Sequence, residues 1–267
     1  MLEAALELTE ELNALTVTLD LGMEDVIRRA GVPRSSAYRL WAYRGDFIAD
    51  VLVSLSSVAS LGMSELEDTS LSDARNALLA RLDELDTVEG RRAVKWEIAR
   101  EFVPRHFETI ATSKWWNTYV ALIAAAHFMP SEETAERIAV ELQRNDRAFL
   151  NDMAGYYEAM GSLLGLRPRA PLTWRHFAIS AAAELEGFGL RRSMIGPTAR
   201  APREAVTDVD DWTLDELVNA PIMATPPGSD AANEWFLPAL TFLAILDAFT
   251  EEDPNWSLLD LTAPGAA

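Results

Sequence analysis

Apolar residues recur along most of this chain at the three- and four-residue spacing of a helix face, and nowhere does the two-residue alternation of a half-buried strand persist. The first such stretch runs from Leu2 to Ala14. A short one follows, in which Val26, Ile27 and Ala30 share a face, and a longer one begins at Arg44 and reaches about Gly62 with Phe47, Val51, Leu55 and Val58 in one stripe. Ser70-Leu71-Ser72-Asp73 has the spacing of a capping box, and Ser131 stands between Pro130 and the carboxylates of Glu132 and Glu133. Both predict helix starts. Helices are expected near residues 71–85, 88–103 and 114–129, with Pro104 breaking or kinking the second.

From Ser131 the helical pattern continues to about Leu164 and is stopped by the Pro168 to Pro171 stretch. The next helix spans Thr173 to Arg192, with Trp174, Phe177, Ala178, Ala181, Leu185 and Phe188 on one face. Residues 196–232 hold Pro197, Pro202, Pro221, Pro226, Pro227 and Gly228, a composition that predicts irregular chain with one short helix near Thr213 to Asn219. A final apolar helix runs to about Thr250, and the tail after Asp253 is expected to fray. The expected class is therefore all-α, with little or no sheet.

Composition sharpens this picture. The 267 residues are 49% apolar, enough to bury one large core or a small and a larger one. The longest apolar runs, Val120 to Met129 and Leu237 to Leu246, fall short of the roughly 20 residues a membrane span needs. The segment Met1 to Glu11 carries acids and no basic region, which argues against a secretory signal and for a cytoplasmic location. Without cysteine there are no disulfides, thiolate metal sites or thiol nucleophiles. The net charge of −19 opposes nucleic acid, but it is unevenly placed. Residues 22–52 hold five arginines (28, 29, 34, 39 and 44) against four acids, whereas residues 1–21 hold five acids and no base. Screening over a Debye length of about 8 Å lets a distant acidic body coexist with a surface that approaches DNA.

That local balance draws attention to Met23 to Trp41, which has the features of a helix-turn-helix. Val26, Ile27 and Ala30 supply the inner face of a first helix, Gly31 supplies a turn of positive φ, and Val32 plugs the corner. Pro33, with no amide proton to donate, suits the start of a second helix from whose first turn Arg34, Ser35 and Ser36 project.

Ala30-Gly31-Val32, Tyr38, the Leu40-Trp41 pair and Arg44 resemble, in order and spacing, the DNA-binding half of the TetR family of transcriptional regulators. The resemblance covers Leu2 to Leu52, and Glu186-Gly187-Phe188-Gly189-Leu190-Arg191 is similar to the end of a family dimerisation helix. It implies a three-helix DNA-binding domain over residues 1–52 and a larger helical domain over 53–267 that senses a small molecule and forms the homodimer. It further implies that Arg34, Ser35, Ser36 and Arg39 face the major groove while Tyr38 and Arg44 grip phosphates. Two features depart from the family: the loop Leu15 to Gly22 is longer, and no basic residue precedes Arg28. The implied function is a repressor that binds operator DNA and leaves it when an effector binds. The alternative is a helical ligand-binding or interaction protein of the same fold that has lost DNA binding.

Other chemistry is thinly represented. His106, His127 and His176 have no ligand partner at the i,i+4 spacing of a helical metal site, and neither a nucleophile elbow nor a phosphate-cradling glycine loop occurs, so no metal, cofactor or catalysis is expected. Aromatic residues are dense in the middle of the chain, including Trp115, Trp116 and Phe128. Trp96, Phe102 and Tyr119, with His127, are the candidates for lining an effector pocket, although core packing accounts for such residues almost as well.

Overall fold

A computed structural model describes residues 1–11, 21–128, 131–193, 221–225 and 232–257. These residues are mostly helical, with two small two-stranded sheets. In chain order the elements are α1 (Leu2–Glu11), α2 (Met23–Ala30), α3 (Arg34–Leu40), α4 (Arg44–Leu79), a 3-10 turn (Leu82–Asp86), α5 (Val88–Ala111), α6 (Lys114–Phe128) and α7 (Glu132–Leu163). Then follow β1 (Leu166–Pro168), α8 (Trp174–Ser193), β2 (Ile222–Ala224), β3 (Asn233–Trp235), α9 (Leu237–Phe249) and β4 (Thr250–Glu252). The end of the first helix at Ala14, most of the loop after it, the short helix near Thr213 to Asn219 and the tail beyond Ser257 lie outside the described residues.

The chain divides into two compact units, Met1–Leu66 with Thr112–Phe149, and Glu67–Ala111 with Leu150–Ala267. In the first unit, Ala5 of α1, Val26 and Ile27 of α2, Ala37 of α3 and Phe47, Val51 and Leu55 of α4 form one buried cluster with Leu122 of α6 and Ile138 of α7. Trp41 meets Phe47 edge to face at 5.2 Å, and its Nε1 donates to Asp50 Oδ2 at 2.9 Å. The other oxygen of Asp50 accepts from Arg137 Nη2 at 2.6 Å, which ties α7 to α4. Ser57 and Glu141, 2.8 Å apart, repeat that tie farther along the same two helices.

In the second unit, α9 packs against α5 and α8. Leu78, Leu85, Val94, Met160 and Leu164 form one buried group, and Ala99, Trp235, Ala239 and Leu243 another. A third is built on rings, with Phe177 lying 4.7 Å from Tyr157 and 5.5 Å from Phe242. β1 runs antiparallel to β4, pairing Leu166 with Glu252 and Pro168 with Thr250, and β2 pairs with β3.

Several sequence expectations are met. The helix predicted from Ser131 starts there, with Ser131 Oγ accepting from Thr134 N at 3.3 Å, and it ends at Leu163 beside the proline stretch. In α8, Phe177, Ala178 and Ala181 of the predicted face are buried. Three expectations need correction. The start predicted at Ser70 is absent because α4 runs unbroken to Leu79; no proline interrupts it, and burial of Ala74 and Leu78 extends its apolar stripe. Helix α5 does not end at 103 or break at Pro104 but continues to Ala111; the lost backbone hydrogen bond is offset by burial of Ala99 and Phe107 on either side. The tail does not fray directly after Asp253: Trp256 Nε1 donates to Ser162 O at 2.7 Å and its ring lies 4.2 Å beneath the Arg91 guanidinium.

Candidate functional site

The residues singled out for nucleic acid sit on α3 and its flanks. Helix α2 is amphipathic, with Met23, Val26 and Ile27 buried and Glu24, Asp25, Arg28 and Arg29 exposed. It ends at Gly31, whose φ of 64° lies in the left-handed region where a side chain would be strained. Pro33, extended at φ −61° and ψ 133°, occupies the N-cap position of α3 and accepts from Ser36 N at 2.9 Å.

Of the seven residues of α3 only Ala37 is buried. Arg34, Ser35, Ser36, Tyr38, Arg39 and Leu40 are all exposed, as are Tyr43 and Arg44. Tyr38, Leu40 and Tyr43 keep 40%, 70% and 75% of their surface accessible, a large apolar exposure for so short a segment. The helix is held by one methyl group and by the buried ring of Trp41 behind it, and its remaining side chains face outward.

The electrostatics of this surface differ from the arginine count. Glu24 reaches across from α2 and places Oε1 2.6 Å from Arg34 Nη2, while the Tyr38 hydroxyl donates to the same oxygen at 2.7 Å. The guanidinium of Arg34 also lies 5.6 Å from the centre of the Tyr38 ring. Arg28 pairs with Asp25, and Arg29 with Glu7 at 3.2 Å. Arg44 Nη2 donates to Leu21 O at 3.2 Å. Arg39 forms no ion pair among the described residues. Ser36 and Leu40 also border a groove of about 750 Å³ whose wall carries Asp46, Asp50 and Glu133, with Arg137 among them.

The second unit contains a cavity of about 100 Å³ between α4, α5, α7, α8 and α9. Leu71 and Ala74 of α4, Ile98, Phe102 and His106 of α5, Tyr156 and Met160 of α7, Trp174 and Phe177 of α8, and Phe242 and Leu246 of α9 contribute to its wall. Burial lowers the His106 imidazole from its ordinary value to about 4, so the ring is neutral near pH 7. The Tyr156 hydroxyl donates to Leu71 O at 3.2 Å.

Of the four residues expected to line an effector pocket, only Phe102 borders this cavity. Trp96 packs edge to face on Trp235 at 5.5 Å and borders a separate, charge-lined groove with Arg91, Arg92 and Asp247. Tyr119 lies 6.1 Å from the buried Trp116 in the first unit. His127, also in that unit, is exposed, with Nδ1 2.9 Å from Ile123 O. Two elements escaped sequence reasoning. His106 was visible only as a histidine without helical ligand partners, and Glu24 only as an acid near the motif.

A half-buried acid, Glu184, stands between α8 and α9. Glu184 accepts from the Thr241 hydroxyl through Oε1, while its Oε2 is buried with no hydrogen-bond partner among the described residues. Burial raises its pKa to about 7, against the opposing effect of the Thr241 hydrogen bond. Among the described residues no helix is long and apolar enough to cross a membrane. No family model, curated protein or solved structure matches the chain.

Proposed function

We propose that this protein is a TetR-type transcriptional regulator, a repressor that binds operator DNA as a homodimer and is released by a small-molecule effector. The observation that carries the reading is α3, a helix that buries only Ala37 of its seven residues and leaves Arg34, Ser35, Ser36, Tyr38 and Arg39 exposed on one short segment. A helix whose purpose was packing would bury more of its surface. A helix that enters a major groove needs its side chains free while neighbouring helices hold its backbone. Arg39 and the two serines supply donors for base edges, and Tyr38 and Arg44 flank them where phosphates would run.

Helix α8 supports the dimer. Its outer side carries Ile179, Ala183 and Leu190, all exposed, at intervals of four and seven residues, and Gly187 on the same side has nothing within 4 Å of where a Cβ would lie. An exposed small and apolar stripe of this kind suits self-association about a two-fold axis. Most of the apolar surface of α9 packs within the chain, through Ala239, Leu243 and Leu246.

Helix α4 carries core residues of the first unit, Phe47 and Val51, and cavity residues of the second, Leu71 and Ala74. A ligand that binds one arrangement of α4 better than another biases the population of DNA-competent molecules. The alternative, a protein of this fold without DNA affinity, is favoured by the placement of Glu24 against Arg34 and Tyr38 and by the net charge of −19. A mobility-shift assay on DNA flanking the coding region, run beside sedimentation analysis of the free protein, separates the two. A dimer that shifts a specific fragment supports the repressor; a monomer, or no shift at low salt, supports the alternative.

A further inference from the structure

The walls of the cavity in the second unit specify the chemistry of what fits it. Their aromatic part is already an array, with Phe177 edge to face on Tyr157 at 4.7 Å and on Phe242 at 5.5 Å and those two rings tilted against each other at 6.0 Å, so a further ring extends it. Trp174 closes one side because position 161 is glycine: a Cβ there would lie 2.4 Å from the far edge of the indole. The volume of about 100 Å³ is somewhat below the roughly 150 Å³ of an engineered apolar cavity that takes up benzene, which limits the ligand to a single ring.

Charge is excluded on two counts. Lys95, the one formally charged side chain on the wall among the described residues, has Nζ 2.5 Å from Asp247 Oδ1, so its charge is already answered. His106 is neutral near pH 7 because the surrounding apolar groups disfavour its cation. An anionic or cationic ligand entering here loses its hydration and meets no uncompensated opposite charge among the described residues. We infer that the cavity between α4, α5, α7, α8 and α9 is a binding site for a small, neutral, single-ring aromatic molecule. That this ligand acts as the effector rests on the regulator reading; that it binds does not.

The test follows three fluorinated probes by fluorine NMR on the full chain: fluorobenzene, para-fluorobenzoate and para-fluorobenzylamine. Fluorobenzene should show saturable line broadening and, at several times its Kd, raise the melting temperature by roughly 2–4 °C. The two charged probes should bind at least about tenfold more weakly. Filling the cavity with Ala74→Leu should weaken fluorobenzene about tenfold or more. If that variant does not fold, Leu71→Phe tests the same point from a half-buried position. Three results would each overturn the inference: no saturable fluorobenzene binding to the folded protein, charged probes that bind as well as the neutral one, or unchanged affinity in a folded cavity-filling variant. The assay contains no DNA, so its failure leaves the operator reading untouched, and loss of DNA binding leaves this site untouched.

Discussion

The exposed face of α3 and the ring cluster around Phe177 use side chains in opposite ways. On α3 six of seven residues face solvent and their charges are screened, so a substitution there costs the fold little. Around Phe177, 1% exposed and in contact with several other rings, a substitution removes interactions within the chain itself. A surface that contributes little to stability is available for recognition, and a core that leaves a void is available for a ligand.

Phe177→Ala should destabilise the protein by about 3–5 kcal/mol, read as a fall of more than about 6 °C in melting temperature. A calorimetric scan that shows less would mean that the rings are not packed as described. Arg39→Ala is the counterpart on the surface. It should leave circular dichroism and melting temperature unchanged, because Arg39 is exposed and has no ion pair among the described residues, while DNA affinity falls at least about tenfold.

The folded pKa of Glu184, about 7, lies above its ordinary 4.5, so its contribution to stability is fully present below pH 4.5 and is lost as pH rises through 7. His106 acts oppositely: its folded value of about 4 lies below 6.5, so its contribution is present above pH 6.5 and is lost as pH falls toward 4. The two partly cancel in between. Replacing Glu184 with Gln removes one slope, so the stability of the variant relative to the parent should rise by on the order of 2 kcal/mol between pH 4.5 and 7.5. Melting temperatures across that range check it, and a constant difference would show that Glu184 is not held neutral by burial.

The smallest effect belongs to the acid on the surface. Arg34 and Glu24 are both more than half exposed, so their ion pair contributes little to folding. Glu24→Gln should therefore leave the melting temperature within a degree or so, yet tighten DNA binding about two- to fivefold by releasing Arg34 and Tyr38 and removing a charge that repels phosphates. Weaker binding would mean that Glu24 positions those residues for contact instead of withholding them.

How much of this was legible in the sequence follows from how local each signal is. The turn at Gly31 and the helix start at Ser131 were legible because a positive φ and a side-chain cap are decided within a few residues. The same locality misled at Ser70, where capping spacing offered a start that a continuing apolar stripe overrode, and at Pro104, whose cost was outweighed by packing from α8 and α9. The cavity was not legible. Its residues come from five helices spread between Leu71 and Leu246, and aromatic density pointed instead to Trp96, Tyr119 and His127, which face elsewhere. Nor was Glu24: a carboxylate 10 residues from Arg34 and 14 from Tyr38 meets them only through the angle at which α2 and α3 cross.

DNA reading by α3 is decided by a salt titration of binding. Fluorescence anisotropy of the full chain on duplexes tiling the DNA that flanks its coding region, beside a random duplex, measures affinity and its ionic component together. With Arg34, Arg39 and Arg44 as the cations placed for phosphate contact, a dimer makes at most about six such contacts, fewer where an arginine reads a base. The expected result is saturable binding to one region, poor binding to the random duplex, and a slope of log affinity against log salt no steeper than roughly −5. Absence of binding to every flanking duplex at low salt would contradict the claim.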